Sequence, residues 1–154
     1  MKEILRLKDV SKEYGLRGFR TRVLNNINLA VNEGDFISIM GPSGAGKTTL
    51  LNLISTLDKP TKGEIIFDGK DITKIKNKEL SNLRRDKIGF IFQDYNLLDN
   101  MNLMDNIALP LALGKKRTKA IEDKVMEISE IFGLKEHLKK YPYELSGGQK
   151  QRGA

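Results

Sequence analysis

The sequence predicts an α/β fold organised around a phosphate-binding loop, with an antiparallel β region before the loop and a helical region after it. Three observations carry this. Gly41-Pro42-Ser43-Gly44-Ala45-Gly46-Lys47-Thr48-Thr49 fits the pattern G-x-x-x-x-G-K-[ST] at every fixed position. An apolar run of strand length, Phe36–Met40, precedes it, and Thr48 to Leu57 follows with apolar residues at 50, 51, 53, 54 and 57, so strand, loop and helix are in register. From Leu97 to Tyr141 the spacing turns helical, with Ile121, Val125, Ile128 and Phe132 as expected core positions.

A nucleotide's phosphates are polyanionic and are approached best by backbone rather than by bulky side chains. Gly41, Gly44 and Gly46 take dihedrals that a Cβ resists, which lets successive N–H groups of the loop, including those of Ser43 and Ala45, turn toward an anion. Lys47 at the helix start is expected near the β/γ-phosphates, and the Thr48 hydroxyl is an oxygen donor suited to Mg²⁺. The alternative is a glycine-rich turn that carries Lys-Thr-Thr by chance, and the flanking strand and helix speak against it.

At 154 residues, one domain with a substantial core is expected. Apolar content of 39% and charged content of 31% suit a water-soluble chain, and no apolar run approaches the ~20 residues that cross a bilayer. The charged N-terminus, Met1 to Arg6, has no signal-peptide core, so cytosolic residence is expected. The absence of cysteine excludes disulfides, thiolate chemistry and cysteine-ligated zinc, leaving oxygen-ligated metal. A net charge of +7 raises nucleic acid or an anionic surface as a partner. The positive residues are scattered, however (Lys59, Lys62, Lys74, Lys76, Lys78, Arg84, Arg85, Lys115 to Arg117), with no aromatic-basic stripe, so no nucleic acid is expected.

Taken in order, Leu5, Leu7 and Val10 alternate as a strand that Ser11-Lys12-Glu13-Tyr14-Gly15 is expected to break. Tyr14 at the break could stack on a purine base or could be an ordinary half-buried turn tyrosine. Gly15 to Thr21 reads as a polar loop, Val23 to Val31 as a second alternating strand, and Asn32 to Asp35 as a turn. The cradle helix is expected to end near Leu57, before Asp58-Lys59-Pro60-Thr61-Lys62-Gly63. Ile65-Ile66-Phe67 is a strand, Asp68-Gly69 a turn, and Leu80 with Leu83 marks a short helix. Ile88-Gly89-Phe90-Ile91-Phe92 is a strand ending at Gln93, where ligands of open α/β sheets bind, although a first loop residue often is glutamine for no such reason. His137, the only histidine, falls on a charged helical stretch and is expected to have no catalytic role.

Leu145-Ser146-Gly147-Gly148-Gln149 joins a hydroxyl, paired glycines and a helix start, either a second anion site or simply a capped helix. With Gly41 to Thr49, it makes the chain resemble the ATP-binding subunit of ABC transporters, from Ile4 to Arg152. The five residues match that family's signature, Gly41 to Thr49 its phosphate loop, Gln93 its Q-loop and Tyr14 its adenine-stacking aromatic. Segments such as Leu57-Asp58-Lys59-Pro60-Thr61-Lys62-Gly63 and Phe90 to Leu98 look like the branch of bacitracin-type antimicrobial-peptide exporters and lipoprotein-releasing or macrolide-export systems.

The resemblance implies a P-loop NTPase of ABC type: an antiparallel β subdomain with a partial parallel-sheet core (about 1–94), a helical subdomain (about 95–144) and the signature with a helix start (145–154). ATP and Mg²⁺ are the implied cofactors. Gly41, Pro42, Ser43, Gly44, Ala45, Gly46, Lys47, Thr48 and Thr49 would bind the phosphates, Tyr14 the base, and Thr48 with Gln93 the metal. Lys47 and Gln93 would serve catalysis, and Ser146, Gly147, Gly148 and Gln149 would reach the γ-phosphate held by a second ATP-binding subunit paired head to tail. A transmembrane permease would be the other partner, contacted by the helical region, which places the chain in the cytoplasm, peripheral at the inner face of the cell membrane.

Gly153-Ala154 follows closely on the signature, so the family's Mg²⁺-holding aspartate, water-activating glutamate and later histidine find no matching positions. The chain therefore reads as a truncated or partial subunit with C-terminal core strands missing. It is expected to hydrolyse ATP poorly alone, since orienting the attacking water needs a further group, and to aggregate through unpaired strand edges. Two other readings stay open: a soluble ABC-type ATPase acting on ribosome or DNA, and a non-catalytic truncated product.

Overall fold

A computed structural model describes residues 2–16, 18–114 and 118–154. Lys115 to Arg117, among the scattered basic residues, lie outside the described residues, as does Arg17 in the Gly15–Thr21 loop. The chain divides into two compact units, Met1–Gly89 and Phe90–Ala154.

In the first unit, β1 (Glu3–Tyr14), β2 (Thr21–Asn32), β3 (Lys62–Phe67) and β4 (Lys70–Asp71) form one sheet in the order β2-β1-β3-β4, with every pairing antiparallel. β1 does not stop at Ser11 but continues to Tyr14. Leu5 and Leu7 face the core with Arg6 and Lys8 outward; Asp9 then adopts φ +49°, the register shifts, and Val10, Ser11 and Lys12 are all buried. A bulge thus resets the pleat rather than ending the strand. The Asp9 carboxylate accepts from the Asn28 amide at 3.0 Å and the Asp9 N–H donates to Asn28 Oδ1 at 3.0 Å, which holds the bulge against β2. Gly63 at the start of β3 passes so near this bulge that a Cβ would stand 2.5 Å from the carbonyls of Lys8 and Asp9.

Two helices complete this unit, α1 (Lys47–Ile54) and α2 (Asn77–Lys87). α1 is shorter than its apolar spacing suggests. Thr56 turns left-handed at φ +63°, and the Leu57 and Asp58 N–H groups both fold back to the Asn52 carbonyl at 2.9 and 3.1 Å. Leu50 and Leu53 of α1, Leu80 of α2, Leu7, Val10, Leu24 and Ile65 make the core. Each such side chain contributes about 1.5–3 kcal/mol by leaving water.

The runs Phe36–Met40 and Ile88–Phe92, expected as parallel core strands, are not strands: neither is hydrogen-bonded into a ladder among the described residues. Strand geometry is stabilised by a neighbouring ladder, and neither run has one, so apolar residues patterned for burial stay in solvent. Phe36 is 98% exposed, Met40 87% and Ile91 70%.

The second unit holds α3 (Leu103–Leu113), α4 (Thr118–Ile131), two single 3₁₀ turns at Lys135–His137 and Pro142–Glu144, and α5 (Gly147–Gly153). The Asn102 side chain caps α3 by accepting from the Asp105 N–H at 2.9 Å, and the first helical N–H groups, of Leu103 and Met104, donate to the carbonyls of Lys140 and Leu138 at 2.8 and 2.9 Å. Leu103, Leu134 and Leu145 close a small core that fixes where α5 begins. Val125 is fully buried as expected, whereas Phe132 is 49% exposed. It falls just past the end of α4, where the helical spacing no longer applies, and Ser129 takes the inner position by donating to the Val125 carbonyl at 2.6 Å. No helix among the described residues is long and apolar enough to cross a membrane.

Candidate functional site

The loop Gly41–Gly46 leads directly into α1. Gly44 and Gly46 are left-handed, at φ +80° and +84°, while Ala45 between them is not, so φ alternates in sign through the tightest part of the loop. That alternation is the backbone pattern of an anion nest. Gly46 is required twice over, since a Cβ there would also stand 2.9 Å from Leu24 Cδ2 and 3.0 Å from the Val23 carbonyl. The loop is thereby seated against β2. The Ala45 N–H closes a turn on the Pro42 carbonyl at 3.2 Å, and Ser43 lies exposed within that turn.

Lys47 Nζ donates to the carbonyls of Gly41 and Pro42, at 2.8 and 2.7 Å. The ammonium is therefore folded over the loop at the positive end of α1. No acidic residue occupies the first turn of that helix and no side chain caps it, so nothing there competes with an incoming anion. Thr48 is exposed and Thr49 half-buried on the same turn.

Tyr14, the last residue of β1, belongs to the same unit. Its hydroxyl donates to Asp58 Oδ2 at 2.7 Å, and the ammonium of the buried Lys12 sits 4.7 Å from its ring centroid. Burial raises the phenol's pKa above its ordinary value, the hydrogen bond to Asp58 adds to the rise, and the Thr49 hydroxyl opposes it. At Asp58, burial pushes the carboxyl up, but hydrogen bonds from Lys12, Tyr14 and the Lys59 backbone outweigh it and hold the group below its usual range.

The other sequence-derived residues fall in the second unit. Gln93 is exposed in a turn directly after Phe92. Two residues on, Tyr95 and Asn96 are both left-handed, at φ +62° and +51°, and a Cβ at Gly147 would stand 3.8 Å from the Tyr95 hydroxyl. The Tyr95 hydroxyl thus lies beside the turn at Ser146–Gly148 within this unit. Ser146 caps α5: its hydroxyl accepts from the Gln149 N–H at 3.3 Å and its N–H donates to Gln149 Oε1 at 2.8 Å. This reciprocal box leaves Gly147 and Gly148 exposed at the helix start.

Sequence reasoning did not single out Lys12 or Asp58 and gave His137 no role. Lys12 and Tyr14 are two apart on a strand and so share a face, a signal that was available. Asp58 lies 44 residues from Tyr14 and reads only as part of a turn. His137 bonds to Gln149 through its Nε2 at 2.9 Å, and its Nδ1 is buried without a partner among the described residues. Among the described residues no group of three or more His, Cys, Asp or Glu is arranged to hold a metal.

Residues 24–154 match the family model described as ABC transporter. The chain is 45% identical to the bacitracin export ATP-binding protein BceA of Halalkalibacterium halodurans over 98% of its length, covering 60% of that protein. It is 42% identical to the methionine import ATP-binding protein MetN of Haemophilus ducreyi, covering 44% of it. Among solved structures, a dimeric post-hydrolysis state of the ATP-binding cassette MJ0796, bound to ADP and Pi, superposes with a TM-score of 0.90 at 40% identity, over 97% of this chain and 66% of that one. The chain thus spans about 60% of the length of the first curated relatives it matches.

Proposed function

The chain belongs to the ABC transporter family, and from that premise we propose that it is the ATP-binding, energy-coupling part of a transporter that exports or extracts a peptide, antibiotic or lipid-linked substrate. The observation that carries the reading is the loop at Gly41–Thr49: left-handed glycines alternating with Ala45, Lys47 folded over the loop, and a helix start free of acid. Polyphosphate is the chemistry such a cradle takes. The base would stack on Tyr14, whose hydroxyl is held by Asp58 just past the end of that helix.

Mg²⁺ fits the residues present. The Thr48 hydroxyl is an exposed hard oxygen donor on the first turn of α1, and this ion takes few protein ligands, keeping several waters and drawing on substrate phosphates for the rest. The ion would supply charge neutralisation on the phosphates. Lys47 would add a point charge to the transferring phosphoryl group, and Gln93 would approach the metal or the attacking water. Ser146, Gly147 and Gly148, with Gln149 closing the box behind them, would meet the γ-phosphate held by a second subunit; the dimeric cassette supports such pairing. A permease would be the remaining partner, with the chain cytoplasmic and peripheral at the membrane. Export is preferred on the bacitracin relative, while the methionine importer at 42% identity supports the opposite direction.

Calorimetric titration of the chain with ATP in the presence of Mg²⁺ tests the nucleotide reading. Lys47→Ala is expected to weaken binding about tenfold or more, the scale of one charge-assisted contact. Equal affinity for both chains would overturn it.

A further inference from the structure

We propose that Lys12 and Asp58 form a clamp that fixes the Tyr14 ring for one-sided stacking on a purine base, making both of them positioning residues for nucleotide selectivity. The inference rests on the nucleotide reading above and goes beyond it, because neither residue contacts the phosphate loop.

The clamp grips the tyrosine at two places. Its hydroxyl is anchored by Asp58 Oδ2 at 2.7 Å, which sets the direction of the ring's long axis. Lys12 Nζ, 4.7 Å from the ring centroid, takes one face of the ring, so a planar base can stack only on the other. Tyr14 is 42% exposed, which leaves a face accessible.

The clamp is itself held. Lys12 is only 8% exposed, and its ammonium donates to Asp58 Oδ1 at 2.6 Å and to the Lys59 carbonyl at 2.7 Å. Asp58 also accepts from the Lys59 N–H at 2.7 Å, and its own N–H returns to the Asn52 carbonyl near the end of α1 at 3.1 Å. The segment is tied to β1 a second time, by the Thr61 N–H donating to the Ser11 carbonyl at 2.9 Å. Asp58 therefore connects the aromatic at the end of β1 to α1, the helix whose other end carries Lys47, Thr48 and Thr49. Base and phosphate sites are set at a fixed separation by one carboxylate. A buried ammonium paired with a half-buried carboxylate is costly unless its partners are in place, and a plain turn needs none of them.

Calorimetry with two probes, ATP and inorganic tripolyphosphate, tests the clamp, because only ATP carries a base. Asp58→Ala is expected to weaken ATP about three- to tenfold, part of the value of one base–aromatic stack, and to leave tripolyphosphate unchanged. If Asp58→Ala fails to fold, the pairwise Lys12→Met, Asp58→Ala variant removes both charges together, and Tyr14→Phe removes only the anchored hydroxyl; both are expected to show the same selective loss. Restoring the carboxylate as Asp58→Glu should recover part of the ATP preference. An equal loss for both probes, or no loss in any variant, overturns the clamp while leaving the phosphate site standing. Failure of the unaltered chain to bind either probe overturns the nucleotide reading and the clamp with it.

Discussion

The Gln149 side-chain amide donates through Nε2 to His137 Nε2 at 2.9 Å while its Oε1 accepts the Ser146 N–H at 2.8 Å. The backbone N–H of Ser146 can only donate, so the oxygen of the Gln149 amide must face it and the NH₂ must face the imidazole. His137 Nε2 is then an acceptor, and the ring proton sits on Nδ1, which is buried without a partner among the described residues. One backbone amide thereby dictates the orientation of an amide and the tautomer of a histidine.

Removing the acceptor should loosen the box that shapes the Ser146–Gly148 turn. His137→Phe keeps a ring in place but no lone pair, and amide hydrogen exchange at Ser146 and Gln149 is expected to accelerate several-fold, as for a lost hydrogen bond of about 1 kcal/mol. Amides of β1 and β3 should not respond. Unchanged exchange at Ser146 would show that the box stands without His137.

Gly44 and Gly46 share a left-handed backbone but differ in surroundings, which separates two costs. A Cβ at Gly44 meets nothing within 4 Å, so Gly44→Ala should cost only the conformational penalty, about 1 kcal/mol. At Gly46 the same Cβ would press on Leu24 Cδ2 at 2.9 Å and the Val23 carbonyl at 3.0 Å. Gly46→Ala is therefore expected to cost about 1–3 kcal/mol more and to shift the loop off β2. Chemical denaturation of the two variants measures the difference, and equal midpoints would refute it.

Acid should act on the first unit through Asp58 and Asp71. Burial raises Asp71, but hydrogen bonds from Lys74 and Thr73 outweigh it, so both carboxyls lie below the ordinary 3.8. A carboxyl depressed on folding contributes stability that is fully present above its unfolded pKa and is lost as pH falls through the lower folded value. Thermal melts should therefore hold level from pH 7 to about 5 and decline below 4, with Asp58→Asn showing a shallower decline. The raised Tyr14 phenol works oppositely: its contribution is complete below the ordinary 10.0 and is lost above it as pH rises through the folded value.

Much of this architecture is legible in the residues. The phosphate loop, the alternating strands, the Asp68-Gly69 turn and the Ser146 cap are local patterns, each written within a few consecutive residues. What the sequence hides is of two kinds. Asp9 and Thr56 are left-handed without being glycine, so a bulge and an early helix end arise from tertiary contacts that no local pattern announces. The Tyr14–Asp58 and His137–Gln149 contacts join residues far apart in the chain, where a turn aspartate and a lone histidine carry no sign of their partners.

Phe36–Met40 shows a third case, in which the pattern is right for a strand and the strand does not form. The period and composition say buried strand, but its stability depends on a neighbour that the described residues do not provide, and Phe36 and Met40 are left 98% and 87% exposed. Apolar surface of this kind, next to backbone without a ladder, favours association between copies. Replacing both with serine removes the sticky side chains without disturbing a packed contact. The double variant is therefore expected to stay monodisperse at concentrations where the unaltered chain associates, read by light scattering, with its melting temperature unchanged within about 2 °C, as for substitutions outside a core. A fall in melting temperature of several degrees would show instead that these side chains are packed in solution.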